Sequence, residues 1–169
     1  MSVAKFFPTN RILPRVLAAG LLGAGLSLTT ASVLAAQDLK TVIRKGSFDD
    51  VKFELTNAVV DRGLVIDHTG QIGDMLARTG ADVGSAKPIY MHAEFMTFCS
   101  AKLSRQMMEA DAANIAFCPY VVFIYETVAA PGEIVVGYRS PAPRGNDASR
   151  AALAEIDKLL DGIISDAIK

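Results

Sequence analysis

Cys99 and Cys118 are the two cysteines of this 169-residue chain and its most reactive side chains. They lie 19 positions apart. That spacing makes neither a CxxC redox motif nor a haem-attachment CxxCH. Two sulfurs can close as a permanent disulfide, cycle between dithiol and disulfide, or ligate a soft metal such as Cu(I) or zinc. For an exported chain an even cysteine count reads first as a disulfide, ahead of metal ligation. Linking residues at this separation stabilises a fold by about 3 kcal/mol on the chain-entropy model.

Other residues compete for a chemical role. His92, Glu94 and Met96 alternate along one strand face, and imidazole plus thioether suits copper. The plainer reading is an outer sheet face of mixed polarity. Met107 and Met108 read as core filler before they read as ligands. His68, after Asp67 at a strand end, is either a base or ligand or a turn residue satisfied by backbone. Ser100 opens a helix whose free N–H groups, with Arg105 one turn on, could hold an anion. Arg139 could do the same, with Tyr120 and Tyr125 lining a pocket. Exposed helix cations and core tyrosines account for each of these residues without a ligand, and that is the better reading for each taken singly. Ser100 and Ser104 have no Gly-x-Ser-x-Gly context, so no nucleophile is recognisable.

The elements that must position these groups follow from hydrophobic period. Residues 38–45, DLKTVIRK, alternate as a strand with Leu39, Thr41 and Ile43 on one face. Ser47 caps a helix with apolar residues at Phe48, Val51, Leu55, Ala58 and Val59, and Gly63 closes it. Leu64, Val65 and Ile66 make a short strand, with Asp67 to Gly70 after it. Ile72, Met75, Leu76 and Thr79 share one side of a short helix. The central stretch, residues 89–126, reads as strand, short helix, strand. Cys99 stands where the first strand runs out and Cys118 where the second begins. Met91, Ala93, Phe95, Thr97 and Cys99 share one face of the first strand; His92, Glu94, Met96 and Phe98 share the other. The helix after Ser100 is expected to run to about Asn114. YVVFIY, residues 120–125, reads as a strand covered on both faces. EIVVGY, residues 133–138, returns as its hairpin partner. A Pro- and Gly-containing link leads to a final helix from Asp147 or Ser149, with a stripe of Ala152, Ile156, Leu159, Leu160 and Ile163. The order predicts an α+β fold: a curved, mostly antiparallel sheet of about five strands with helices packed on one side.

Residues 1–36 read as a secretory signal peptide. Lys5, Arg11 and Arg15 precede the apolar run VLAAGLLGAGLSL, and Val33-Leu34-Ala35 fits a cleavage site, with Ala36 an alternative end. The run is short and rich in Gly and Ala for a membrane span, which favours cleavage over an anchor. Residues 37–141 are then a single α+β domain, and 142–169 a linker and C-terminal helix packing on it. Setting aside the leader's three cations leaves 14 of the 17 Lys and Arg against 18 Asp and Glu. That balance argues against nucleic acid and against an anionic membrane surface. Contact with a membrane would come only through an uncleaved leader.

The phrases FMTFCSAKLSRQMMEAD and NIAFCPYVVFIYE, followed by EIVVGYRSP, resemble domain-of-unknown-function family 302, and more closely an exported proteobacterial branch of it. The resemblance covers roughly residues 47–141. In the family a strand ends in phenylalanine, then glycine or cysteine, often with Asn-Pro before a helix. Phe98-Cys99-Ser100-Ala101 stands there without the Asn-Pro. The family's Leu-Pro step is Cys118-Pro119 here, and its Asp-His pair fits Asp67-His68. The resemblance implies a fold similar to the TATA-box-binding-protein-like class, which carries no implication of DNA binding.

The expected function is an exported, periplasmic, non-enzymatic binding or accessory domain. Its site lies around Cys99, Ser100, Cys118 and Pro119, with His68 or Arg105 nearby, and its partner is a small ligand or a periplasmic protein. Two alternatives stay open: a thiol–disulfide redox protein using Cys99 and Cys118, and a copper- or haem-handling protein with His92 and Met96 as candidate ligands. The residues name no cofactor. A homodimer through an open sheet edge is compatible with the pattern.

Overall fold

The computed structural model describes residues 39–85 and 87–169. The leader expected at residues 1–36 lies outside the described residues. Strand β1 (Leu39–Lys45) leads to helix α1 (Phe48–Val60), strand β2 (Ile66–Gln71) and helix α2 (Ile72–Thr79). Strand β3 (Tyr90–Phe98) is followed by helix α3 (Ala101–Ala110) and a 3-10 segment (Ala112–Phe117). Strands β4 (Tyr120–Thr127) and β5 (Glu133–Arg139) form a hairpin, and helix α4 (Asp147–Asp166) closes the fold. The sheet order is β1-β5-β4-β3-β2, antiparallel at every junction. Gly132, at φ 78°, takes the left-handed conformation that the β4–β5 turn requires. The α+β class, the five antiparallel strands and the helices on one side are as the sequence predicts.

One apolar layer joins sheet and helices. Met96, Phe98, Val122, Ile124, Ile134, Val136 and Tyr138 point inward from the strands. Val51, Leu55 and Val59 of α1 meet them, as do Leu153, Ile156, Leu160 and Ile163 of α4. The Ser47 hydroxyl accepts the Asp50 N–H at the start of α1, and all five apolar positions read from its sequence are buried. On α4 the buried stripe is shifted: Leu153 and Ile164 are in the core, while Leu159 is only half-buried. Helix α2 packs chiefly on β3, with Gly73 against the Ala93 backbone.

Helix α3 stops at Ala110, where the Asp111 side chain caps the separate 3-10 segment, rather than near Asn114, and four further expectations are corrected. In β1 the phase is inverted. Leu39 and Ile43 are 55% and 59% exposed, and Lys40, Val42 and Arg44 face the helices. Lys40 donates to Asp157 of α4 at 2.7 Å and Arg44 to the Ala167 carbonyl at 3.3 Å, so polar ends with apolar stems hold the inner positions. Strand β2 begins at Ile66 and runs through Asp67, His68, Thr69 and Gly70, because an edge strand with one face in water tolerates polar residues. The His92–Met96 row lies on the helix-covered face, since Met96 and Phe98 point into the core: His92 stacks on Phe48 at 4.8 Å and Glu94 pairs with Lys52 at 2.7 Å. Strand β4 is covered on one face only, with Val121 exposed and Phe123 and Tyr125 half-buried.

The helix-free face has its own construction. The Phe95 ring packs against Gly70 of β2, and the Phe123 ring against Gly137 of β5. A methyl group at residue 137 would stand 2.5 Å from both the Phe123 ring and the Lys40 carbonyl. Phe123 and Tyr125 stack at 6.0 Å, and Tyr90 meets Tyr125 edge-on at 5.5 Å. Aromatic rings settled over glycines keep these strands close without a covering helix.

Candidate functional site

The site is built where the β3–β4 ladder ends. Phe98 and Tyr120 are the last registered pair. Cys99 leaves β3 one residue beyond it, and Cys118 precedes the start of β4, so adjacent antiparallel strands bring the two together. Their sulfurs are 2.8 Å apart as free thiols. The chain turns at once into α3, where the Ser100 hydroxyl accepts the Leu103 N–H at 3.4 Å. One turn later the Ser104 hydroxyl lies 3.6 Å from the Cys118 sulfur and 3.1 Å from the Tyr120 hydroxyl. The result is a half-buried group of two thiols and two hydroxyls.

Burial sets the electrostatics. Burial and the contact with Cys118 push the Cys99 thiol up to about 11, with the Asp67 carboxylate adding to the effect. Burial also raises the Tyr120 phenol, against the Ser104 hydrogen bond that favours its ionised form. Cys99 is therefore protonated at neutral pH, and a protonated thiol is a poor nucleophile and a poor metal ligand. At 2.8 Å the two sulfurs stand close to, but beyond, the bonded separation of about 2.05 Å.

A cleft of about 400 Å³ lies next to the thiols. The Cys118–Pro119 peptide is cis. Pro119, Tyr120, Val121 and Phe123 form one wall with Ala116 and Phe117, and Leu39, Arg139, Ser140 and Pro141 form the other, closed by Ile156 and Leu160 of α4. Five of these residues immediately flank Cys118 in sequence. Beyond the cleft's Ser140 edge is a polar cluster: Asp157 accepts from Lys40 at 2.7 Å, Tyr138 at 3.1 Å and Ser140 at 2.5 Å.

The other residues singled out by sequence are dispersed. Ser100 and Pro119 adjoin the thiols, and Asp67 acts on Cys99 electrostatically. His68 faces the helix-free side, opposite Thr97 and edge-on to Phe95 at 5.8 Å. Arg105 is 78% exposed and pairs with Glu109 at 2.8 Å, one turn further along α3. His92 and Met96 do not converge as a ligand pair. Met96 is 2% exposed, with its sulfur 4.0 Å from the Thr56 hydroxyl, whereas His92 sits at the start of α1. Among the described residues no group of three or more His, Cys, Asp or Glu could hold a metal ion. Sequence reasoning missed Ser104 as a partner of the thiols and missed Asp157 altogether. The i, i+4 step from Ser100 to Ser104 was a usable signal for the first.

A family model described as a domain of unknown function, DUF302, matches residues 39–167. The fold is similar to a crystal structure of an uncharacterised conserved DUF302 protein from Bacillus stearothermophilus. The TM-score is 0.65 and the identity 14%, with 79% of this chain and 100% of that chain covered. At that identity the likeness speaks for the fold alone. No curated protein matches the chain. The matched stretch takes in both cysteines and extends through α4, and the chain belongs to the DUF302 family.

Proposed function

We propose that this chain is an exported, non-enzymatic binding domain. Its Cys99–Cys118 pair closes as a disulfide that fixes one wall of a small-ligand cleft. The observation that carries the reading is the placement of two thiols 2.8 Å apart at the strand ends, with five cleft residues flanking Cys118. The basic and apolar leader supports an oxidising destination. Burial that keeps Cys99 protonated favours a bond that stays closed over one that cycles. The cleft falls within the range of about 300–1,000 Å³ usual for small-molecule sites. No helix among the described residues is long and apolar enough to cross a membrane.

The test of the binding half is a titration of the oxidised, isotope-labelled protein with a panel of small apolar compounds, followed by amide shifts. Saturable shifts centred on Phe117 to Phe123 and on Leu39 are expected. Saturable shifts centred elsewhere, or none, would overturn the cleft as the binding site.

A further inference from the structure

We propose that the helix-free face of the sheet is the interface of a homodimer, in which two copies of this chain pack sheet against sheet. This goes beyond the reading of the cleft and does not depend on it. Leu39, Ile43 and Val121 are each 40% exposed or more on that face, and Phe95, Phe123 and Tyr125 share it half-buried. The rings of Phe95 and Phe123 occupy the space that side chains at residues 70 and 137 would fill. The apolar surface is therefore shallow, suited to another broad surface rather than to a small molecule. On β1, β5, β4 and β3 no Asp, Glu, Lys or Arg takes an outward position between the strand ends. Lys45 and Glu133 stand at one end and pair with each other at 3.9 Å. An aromatic, uncharged centre inside a charged rim is the composition of a protein–protein interface.

Area and charge select a second copy as the occupant. Five strands at about 4.8 Å spacing, each about seven residues of 3.4 Å, give a face of roughly 600 Å² in projection. Side-chain relief raises its accessible area towards the ~800 Å² that each partner contributes to a standard interface. The largest apolar patch on a typical monomer is about 300–600 Å². A two-fold interface sets the same patch against itself. This face can meet its own copy without like-charge repulsion, because its middle carries no charge and its Lys45–Glu133 pair is neutral. A nucleic acid or an anionic lipid surface would call for a cationic patch, which the middle of the face lacks. The sheet edges are less suited to self-association: β1 carries Lys40, Arg44 and Lys45, and β2 is six residues long with a register shift between Ile66 and His68. Two such sheets stack about 10 Å apart, with side chains from both faces interdigitating.

The experiment is sedimentation equilibrium of the purified chain, expressed with its own leader, between about 1 and 100 μM. A reversible monomer–dimer equilibrium is expected, with the dimer dominant by about 50 μM, since interfaces of standard size reach micromolar affinity or better. Ile43→Glu sets a carboxylate at an exposed outward position that does not line the cleft, and it should weaken the dimer at least tenfold. Thr41→Arg, at the next outward position of β1, should act in the same direction. Phe53→Glu, 64% exposed but on α1, should leave the dimer within about twofold of wild type. In the wild type, relaxation of the Ile43 and Val121 methyl groups by a soluble gadolinium chelate should fall as concentration rises through the dissociation constant. A chain that stays monomeric at about 100 μM would overturn the proposal. So would a dimer that Ile43→Glu and Thr41→Arg leave intact, or one that Phe53→Glu breaks, since either result places the interface elsewhere.

Discussion

Removing the proposed Cys99–Cys118 disulfide is the perturbation with the most calculable consequence. The two residues are 19 positions apart. Closing such a loop removes about 11 cal/mol/K from the unfolded ensemble, or about 3 kcal/mol at 25 °C. The native state changes little on the other side of the balance. In the Cys99→Ser/Cys118→Ser double variant, hydroxyls replace the thiols next to Ser104 and Tyr120, which can hydrogen-bond to them. With an m-value of about 2 kcal/mol/M in urea, the midpoint should fall by about 1.5 M. The assay is equilibrium urea unfolding at pH 7, followed by circular dichroism, on oxidised protein, reduced protein and the double variant. The oxidised form should stand about 1.5 M above the other two, and the double variant should not respond to reductant. If oxidised and reduced wild type share one midpoint, or the double variant matches the oxidised form, the pair does not staple this fold.

Once reduced, Cys99 should react slowly. A thiol pushed up to about 11 has roughly one molecule in ten thousand as thiolate at pH 7, so alkylation by iodoacetamide in the native state should accelerate close to tenfold per pH unit from 7 to 10. A rate that levels off near pH 8.5 would contradict the burial assigned to it. Burial alone would push the Asp157 carboxyl up, but hydrogen bonds from Lys40, Ser140 and Tyr138 bring it below the ordinary carboxylate range. Its stabilising effect is then complete above the unfolded value near pH 4 and is lost as pH falls through the folded value. Asp157→Asn should cost about 1–2 kcal/mol at pH 7, with the gap to wild type closing below pH 4 in parallel urea titrations. Gly137→Ala should destabilise by about 1–3 kcal/mol, because the new methyl meets the Lys40 carbonyl, a backbone atom, at 2.5 Å. Gly70→Ala should cost less, because only the Phe95 ring stands in the way and it can rotate aside. Thermal unfolding of the two variants gives the ranking.

What was legible in the sequence was whatever a local period encodes. Helix α1 declared its buried face because five apolar residues recur at helical spacing behind a serine cap. The thiol pair was legible because each cysteine stands at a strand end, and antiparallel pairing of those strands is the simplest way to join them through a short helix. Strand β1 was misread because alternation fixes two faces without saying which is inner. Asp157, far along the chain, decides that Lys40 turns inward. The face of His92 and Met96 was misassigned for the same reason, since α1 and its Phe48 select it. YVVFIY promised cover on both sides because its composition is apolar throughout. The glycine against which Phe123 packs, Gly137, is on a neighbouring strand, and no local window contains it. Of the cleft, only Pro119, Tyr120 and Arg139 were singled out, because its walls come from β1, the 3-10 segment, β4, the end of β5 and α4.

The proposed Cys99–Cys118 disulfide, in a chain proposed to be exported, can be tested directly. The direct measurement is the intact mass and non-reducing peptide map of the chain, expressed with its own leader and recovered without reductant under thiol-blocking conditions. A periplasmic product lacking residues up to about Ala36, two hydrogens lighter than its reduced form and yielding one linked peptide containing Cys99 and Cys118, is expected. A product with both cysteines quantitatively blocked as free thiols would contradict it.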